Sequence, residues 1–136
     1  MSQYFSIDGQ DVWNPSNGPG RLFARLAEAL VPHAGRPSGI GVAPGDPDDH
    51  PIDGAVFAEF VDALVAGHRA TSHPIQRALL EGFVATAAVL ARRGGCALPA
   101  LDGPAGTSSH DIPGGGAAGP DRLAELVAEY DRAMPR

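Results

Sequence analysis

Residues 53–93 hold two consecutive helical patterns joined by only Ala70-Thr71-Ser72-His73-Pro74. So short a connection makes the two helices neighbours, which commits the chain to a helix-on-helix core. Asp53 caps the first helix, and Ile52 with Phe57 forms a hydrophobic staple across that cap. Phe57, Val61, Leu64 and His68 then share one face, widened by Val56, Phe60 and Val65, while Glu59, Asp62, Ala66 and Arg69 face away. The second helix starts near Ser72-His73-Pro74, with Ser72 as its cap, and runs to Arg93, where Gly94 stops it. Ile75, Leu79, Phe83, Val84, Ala87 and Leu90 make it apolar nearly all round, the mark of a central, buried helix. Arg77 and Glu81 are spaced to form an ion pair on its most polar strip.

Upstream, Tyr4-Phe5-Ser6-Ile7 and Gln10-Asp11-Val12-Trp13 flank Asp8-Gly9, a favoured pair for a type I′ hairpin turn. A two-residue turn there pairs Ile7 with Gln10, Phe5 with Val12 and Tyr4 with Trp13. The turn cluster Asn14 to Gly20 leads into a helix capped by Ser16 or Asn17, with Leu22, Leu26 and Leu30 as its apolar stripe and Phe23 beside it. Pro32 and Gly35 end that helix, and residues 32–52 read as irregular. Beyond Gly94, Gly, Ala, Pro, Ser and Thr dominate, the composition of a flexible, disordered linker. Leu123, Leu126, Val127, Tyr130 and Met134 then form a stripe that must dock on this chain or on another. The expected fold is mainly α: an N-terminal β-hairpin, a three-helix core and a C-terminal helix on a flexible linker. Its parts are a hairpin-plus-bundle domain over 1–94, a linker over 95–120 and an amphipathic helix over 121–136.

The formal charge is −6, which argues against nucleic acid, because phosphate binding needs a basic surface. All ten basic side chains are arginine. Arg21, Arg25 and Arg36 precede an acidic stretch from Asp46 to Asp62 that contains no arginine. Such a split is either a solvated acidic face or a means for one copy to meet another. Cys96 is the only cysteine, so no intrachain disulfide can form and a reducing compartment is the expectation. The first residues lack a basic and apolar leader, and no apolar run reads as a membrane span. A cytoplasmic protein is therefore expected.

Polar chemistry concentrates at the turn between the second and third helices. His68 and His73 flank it, and histidine is the side chain that titrates near neutral pH. With Glu81, the one acid inside the apolar helix, they are the catalytic candidates. Trp13, Phe60, Arg69 and Ser72 are the candidate ligand contacts, in a pocket beneath the hairpin. The helix N-terminus after the turn suits a small anion, with Arg69 as a second contact. Bland roles compete in each case: a core histidine, a cap, a paired carboxylate. Five residues between His68 and His73 is not a metal-ligand spacing, and neither a P-loop nor a dinucleotide fingerprint is present, so no metal and no cofactor are expected. Cys96 follows a helix C-terminus, which does not activate a thiol.

The strings Met1-Ser2-Gln3-Tyr4-Phe5, Trp13-Asn14-Pro15-Ser16-Asn17-Gly18 and Pro37-Ser38-Gly39-Ile40-Gly41 carry a likeness, as do Ser72-His73 and Leu80-Glu81-Gly82-Phe83. With them the chain resembles small uncharacterised proteins of high-GC actinobacteria, grouped as a family of unknown function, over about residues 1–95. The resemblance implies a bacterial, cytoplasmic protein and no particular activity. The leading expectation is a small, cofactor-free interaction or accessory protein acting as a homo-oligomer, with a possible further protein partner and no membrane. The alternative is a small enzyme or ligand-binding protein of bacterial specialised metabolism, with its pocket near the turn between helices two and three.

Overall fold

Asp8 and Gly9 turn the chain with φ of 50° and 88°, both in the region a type I′ turn needs. They join β1 (Tyr4–Ile7) to β2 (Gln10–Trp13). Ile7 faces Gln10 as expected, but Phe5 faces Trp13 rather than Val12, because the register shifts between Phe5 and Ser6. The extra residue on β2 breaks its alternation, so Val12 and Trp13 are both buried. The computed structural model describes residues 1–102 and 121–136. Its elements continue with α1 (Asn17–Ala34), β3 (Asp49–Ile52), α2 (Gly54–Ala70), α3 (Pro74–Arg93), α4 (Pro99–Asp102) and α5 (Arg122–Ala133). The hairpin, the three-helix core and the C-terminal helix all form.

The third strand lies in the stretch read as irregular. β3 pairs parallel to β1, Phe5 beside His50 and Ile7 beside Ile52, and makes β1 the centre of a three-stranded sheet. Pro51 is tolerated because β3 is an edge strand. Gln3 ties the strands together from a fully buried position. Its amide donates to Asn17 Oδ1 at 2.7 Å and Asp48 Oδ1 at 2.8 Å, which leaves Gln3 Oε1 to accept from His50 Nε2 at 2.7 Å. His50 also stacks on Phe5, centroids 4.6 Å apart.

Phe23 turns α1. It meets Phe5 and Trp13 edge-on at 5.5 Å each and stacks on Phe83 at 4.9 Å. This aromatic cluster outweighs the leucine stripe. Phe23 and Ala27 are buried, whereas Leu22 is 57% and Leu26 39% exposed. α1 also runs on through Pro32 and ends at Gly35, which takes φ 69°.

α3 is buried only over its second half, from Leu80 to Ala91, while residues 74–79 are exposed. It is 20 residues long and apolar enough to span a membrane by length and composition, but half of its most apolar window is buried inside the fold. Residues 95–102 depart from the linker reading: Leu98 and Leu101 join the core, and the Ala100 amide donates to Asp62 Oδ1 at 2.7 Å. The rest of that expected linker, 103–120, lies outside the described residues. α5 packs on α3, burying Leu123, Leu126 and Val127. The guanidinium of Arg93, on a side chain 6% exposed, donates at 2.8 Å to Asp131 Oδ1 and to the carbonyls of Val12, Asp131 and Met134.

Gly20 passes so close to Gln3 that an added Cβ would stand 2.6 Å from Gln3 Cβ. Gly20→Ala must therefore displace the Gln3 network. It is expected to cost about 1–3 kcal/mol, read as a lower urea midpoint at unchanged slope.

Candidate functional site

The turn between α2 and α3 does not gather its polar residues. His68, on the inner face of α2, is 6% exposed, and its Nε2 stands 3.6 Å from Glu81 Oε2. Neither ring nitrogen has a hydrogen-bond partner among the described residues. Burial pushes the His68 pKa below its ordinary 6.5; Glu81 opposes this, and Arg77 and Arg69 add to it. His73 points to another task. It, and not Ser72, is the residue that caps α3, its Nδ1 accepting from the Gln76 amide at 3.4 Å. Ser72 is exposed. The position expected to receive an anion thus carries a cap of its own.

The charged residues hold helices together. Arg77 donates to the carbonyls of Thr71 (2.7 Å) and Arg69 (3.4 Å), where it closes the end of α2 instead of pairing with Glu81. Glu81 takes Arg122 of α5 at 3.6 Å. Arg69 binds Asp121, the cap of α5, at 2.6 Å. Burial raises the Asp121 pKa, but the Arg69 hydrogen bond and the α5 amides outweigh it and hold the carboxyl below its usual value. Phe60 is wholly buried in the core. Cys96 is part-buried with Sγ 3.6 Å from the Gly54 carbonyl, and burial, with Asp8 nearby, pushes the thiol up, away from the reactive thiolate. Among the described residues no three His, Cys, Asp or Glu side chains stand close enough to share a metal ion.

A concave site exists elsewhere. A groove of about 450 Å³ runs between α1 and α5 over the middle of α3. Pro19, Leu22 and Leu26 form one wall, and Tyr130, Ala133 and Met134 the other. Gly82, Phe83 and Thr86 make the floor, with Trp13 and Phe23 also contributing. An added Cβ on Gly82 would meet nothing within 4 Å, so the floor is open there. Thr86 turns its hydroxyl to the Gly82 carbonyl at 2.9 Å, which leaves the lining apolar. Of the candidate site residues named from sequence, only Trp13 borders this groove, and its buried Nε1 has no acceptor among the described residues. The signal for the groove lay in Leu22 and Leu26, which pattern reading assigned to the core.

The buried His68 predicts a pH dependence. In the unfolded chain it titrates near 6.5, and in the fold lower, so between those values the unfolded state holds more protons. Stability is full above that window and is lost as pH falls through it. The melting temperature of the wild type should drop on acidification from neutral pH, and His68→Gln should show a shallower drop over the same window. Parallel melting curves for the two proteins would contradict a neutral His68 in the fold.

Comparison with known proteins places the chain by sequence alone. No curated protein matches it, and no solved structure does. A match extends over residues 1–136 to one family of unknown function, and the chain belongs to that family, DUF6086.

Proposed function

We propose that the protein is a small interaction or accessory protein that works without a cofactor, in the cytoplasm, by docking apolar surface in the groove between α1, α3 and α5. One observation carries this reading: a groove of about 450 Å³, with apolar walls, is edged by leucines left in solvent. Its size falls in the range of specific binding clefts, about 300–1,000 Å³. A concentration of exposed apolar side chains beside a cleft is the usual mark of an interaction surface. The dispersal of the polar candidates supports docking over catalysis. His68 faces Glu81, His73 caps a helix, and Arg69 and Arg122 fasten α5. The single, unactivated cysteine supports the reducing compartment.

The only tryptophan borders the groove, which makes it a reporter. At micromolar protein, anilinonaphthalene sulfonate should bind saturably and quench Trp13 emission. Gly82→Phe fills the open floor from a position where the added Cβ meets nothing within 4 Å. It should weaken dye binding about tenfold, a loss of roughly 1.4 kcal/mol, without lowering the melting temperature. Equal binding by both proteins would show that the groove is not the docking site.

A further inference from the structure

We infer that His68 works an acid-released latch on α5: when its ring takes up a proton, Glu81 turns from Arg122 to His68, and the first turn of α5 comes free of α2 and α3. The latch goes beyond the docking reading and does not depend on it.

α5 begins on two ion pairs that adjoin one ring. Arg69 holds Asp121 at 2.6 Å, and Glu81 Oε1 stands 3.6 Å from Arg122 Nε. His68 neighbours both. It precedes Arg69 on α2, and its Nε2 stands 3.6 Å from the other oxygen of the same carboxylate, Glu81 Oε2. One carboxylate thus serves a residue of α5 and a ring of α2 together. A stronger claim from either side weakens the other.

The ring is placed to make that claim. Its side chain is 8% exposed, and neither nitrogen has a hydrogen-bond partner among the described residues. Once protonated, both nitrogens are donors, and Glu81 Oε2 is an acceptor that a small shift brings within reach. The charges acting on the ring are Glu81 and Arg77 from α3 and Arg69 from its own helix. Arg77 is engaged by the carbonyls of Thr71 and Arg69, and Arg69 by Asp121. α5 brings Asp121 and Arg122 to this end, one to each neighbour of the ring. Among the described residues, α1 and α4 add no charge that acts on it.

With the latch closed, proton uptake is opposed. Burial pushes the ring below its ordinary 6.5, against the pull of a Glu81 that Arg122 shares. When the first turn of α5 lifts, water reaches this corner and Glu81 is left to the ring. The open form therefore takes up the proton more readily, and acid favours it. The closed latch is stable above the ordinary histidine range and weakens as pH falls below it. α5 is the element that yields, because a helix of 12 residues is marginal once its contacts loosen. It also carries the Tyr130 wall of the groove, so the same step loosens that wall.

Amide hydrogen exchange at neutral pH and about two pH units lower, corrected for the intrinsic pH dependence of exchange, tests the latch. In the wild type, protection of the α5 amides should fall about tenfold between the two, while α2 and the second half of α3 keep theirs. His68→Gln, which takes up no proton, should hold α5 protection constant. A second variant lies in solvent and spares the core: Arg122→Gln, at a side chain 67% exposed, frees Glu81. Followed by NMR, the His68 ring should titrate below the ordinary histidine range in the wild type and at a higher pH in Arg122→Gln. Equal α5 protection at both pH values, or a loss shared by α2 and α3, overturns the latch. So does a loss that persists in His68→Gln, or a His68 midpoint indifferent to Arg122→Gln.

Discussion

Arg93 ties together β2, α3 and α5, three of the elements that border the groove. It sits at the end of α3, nearly out of water, and its guanidinium reaches β2 through the Val12 carbonyl and α5 through Asp131 and the Met134 carbonyl. A buried cation is tolerated only when its donors are met, and here a carboxylate and three carbonyls meet them. Two of those carbonyls belong to the C-terminal end of α5, where the helix dipole favours positive charge. A helix of 12 residues is marginal by itself in water. Its apolar stripe and this clamp, with Arg69 on Asp121 and Arg122 near Glu81 at the other end, hold it against α3. The groove has a second wall only because α5 is held there.

The elements that are strongly periodic were legible in the sequence. The Asp53 cap and the Asp8-Gly9 turn act locally, within a few residues of the structure they specify, and are readable from the sequence. β3 was not legible, because Asp49-His50-Pro51-Ile52 carries too few apolar residues and a proline, and becomes a strand only through pairing with β1. The rotation of α1 was hidden for a similar reason. Leu22, Phe23 and Leu26 are all apolar, and what selects Phe23 is a set of rings from β1, β2 and α3. Leu98 and Leu101 were lost in a composition that reads as linker, yet each finds a core position.

The site was less legible than the fold. Residue chemistry directed attention to His68, His73, Glu81 and Arg69, which the fold uses as a buried partner, a cap and two helix fasteners. Histidine and carboxylate at a helical turn satisfy backbone and bury charge as readily as they catalyse, and spacing cannot separate these uses. The groove has the opposite property. Its lining is ordinary apolar sequence, and only the three-dimensional arrangement shows which of those side chains were left without a neighbour.

The dependence of the groove on α5, and of α5 on Arg93, is open to direct measurement by amide hydrogen exchange. In the wild type the inner amides of α5, around Leu126 and Val127, should be protected along with those of α3. In Arg93→Met, which keeps an apolar stem and removes the guanidinium, the α5 amides should lose protection by more than an order of magnitude while α2 and the second half of α3 keep theirs. Exchange of α5 at unprotected rates in the wild type, or unchanged α5 protection in Arg93→Met, would contradict the dependence.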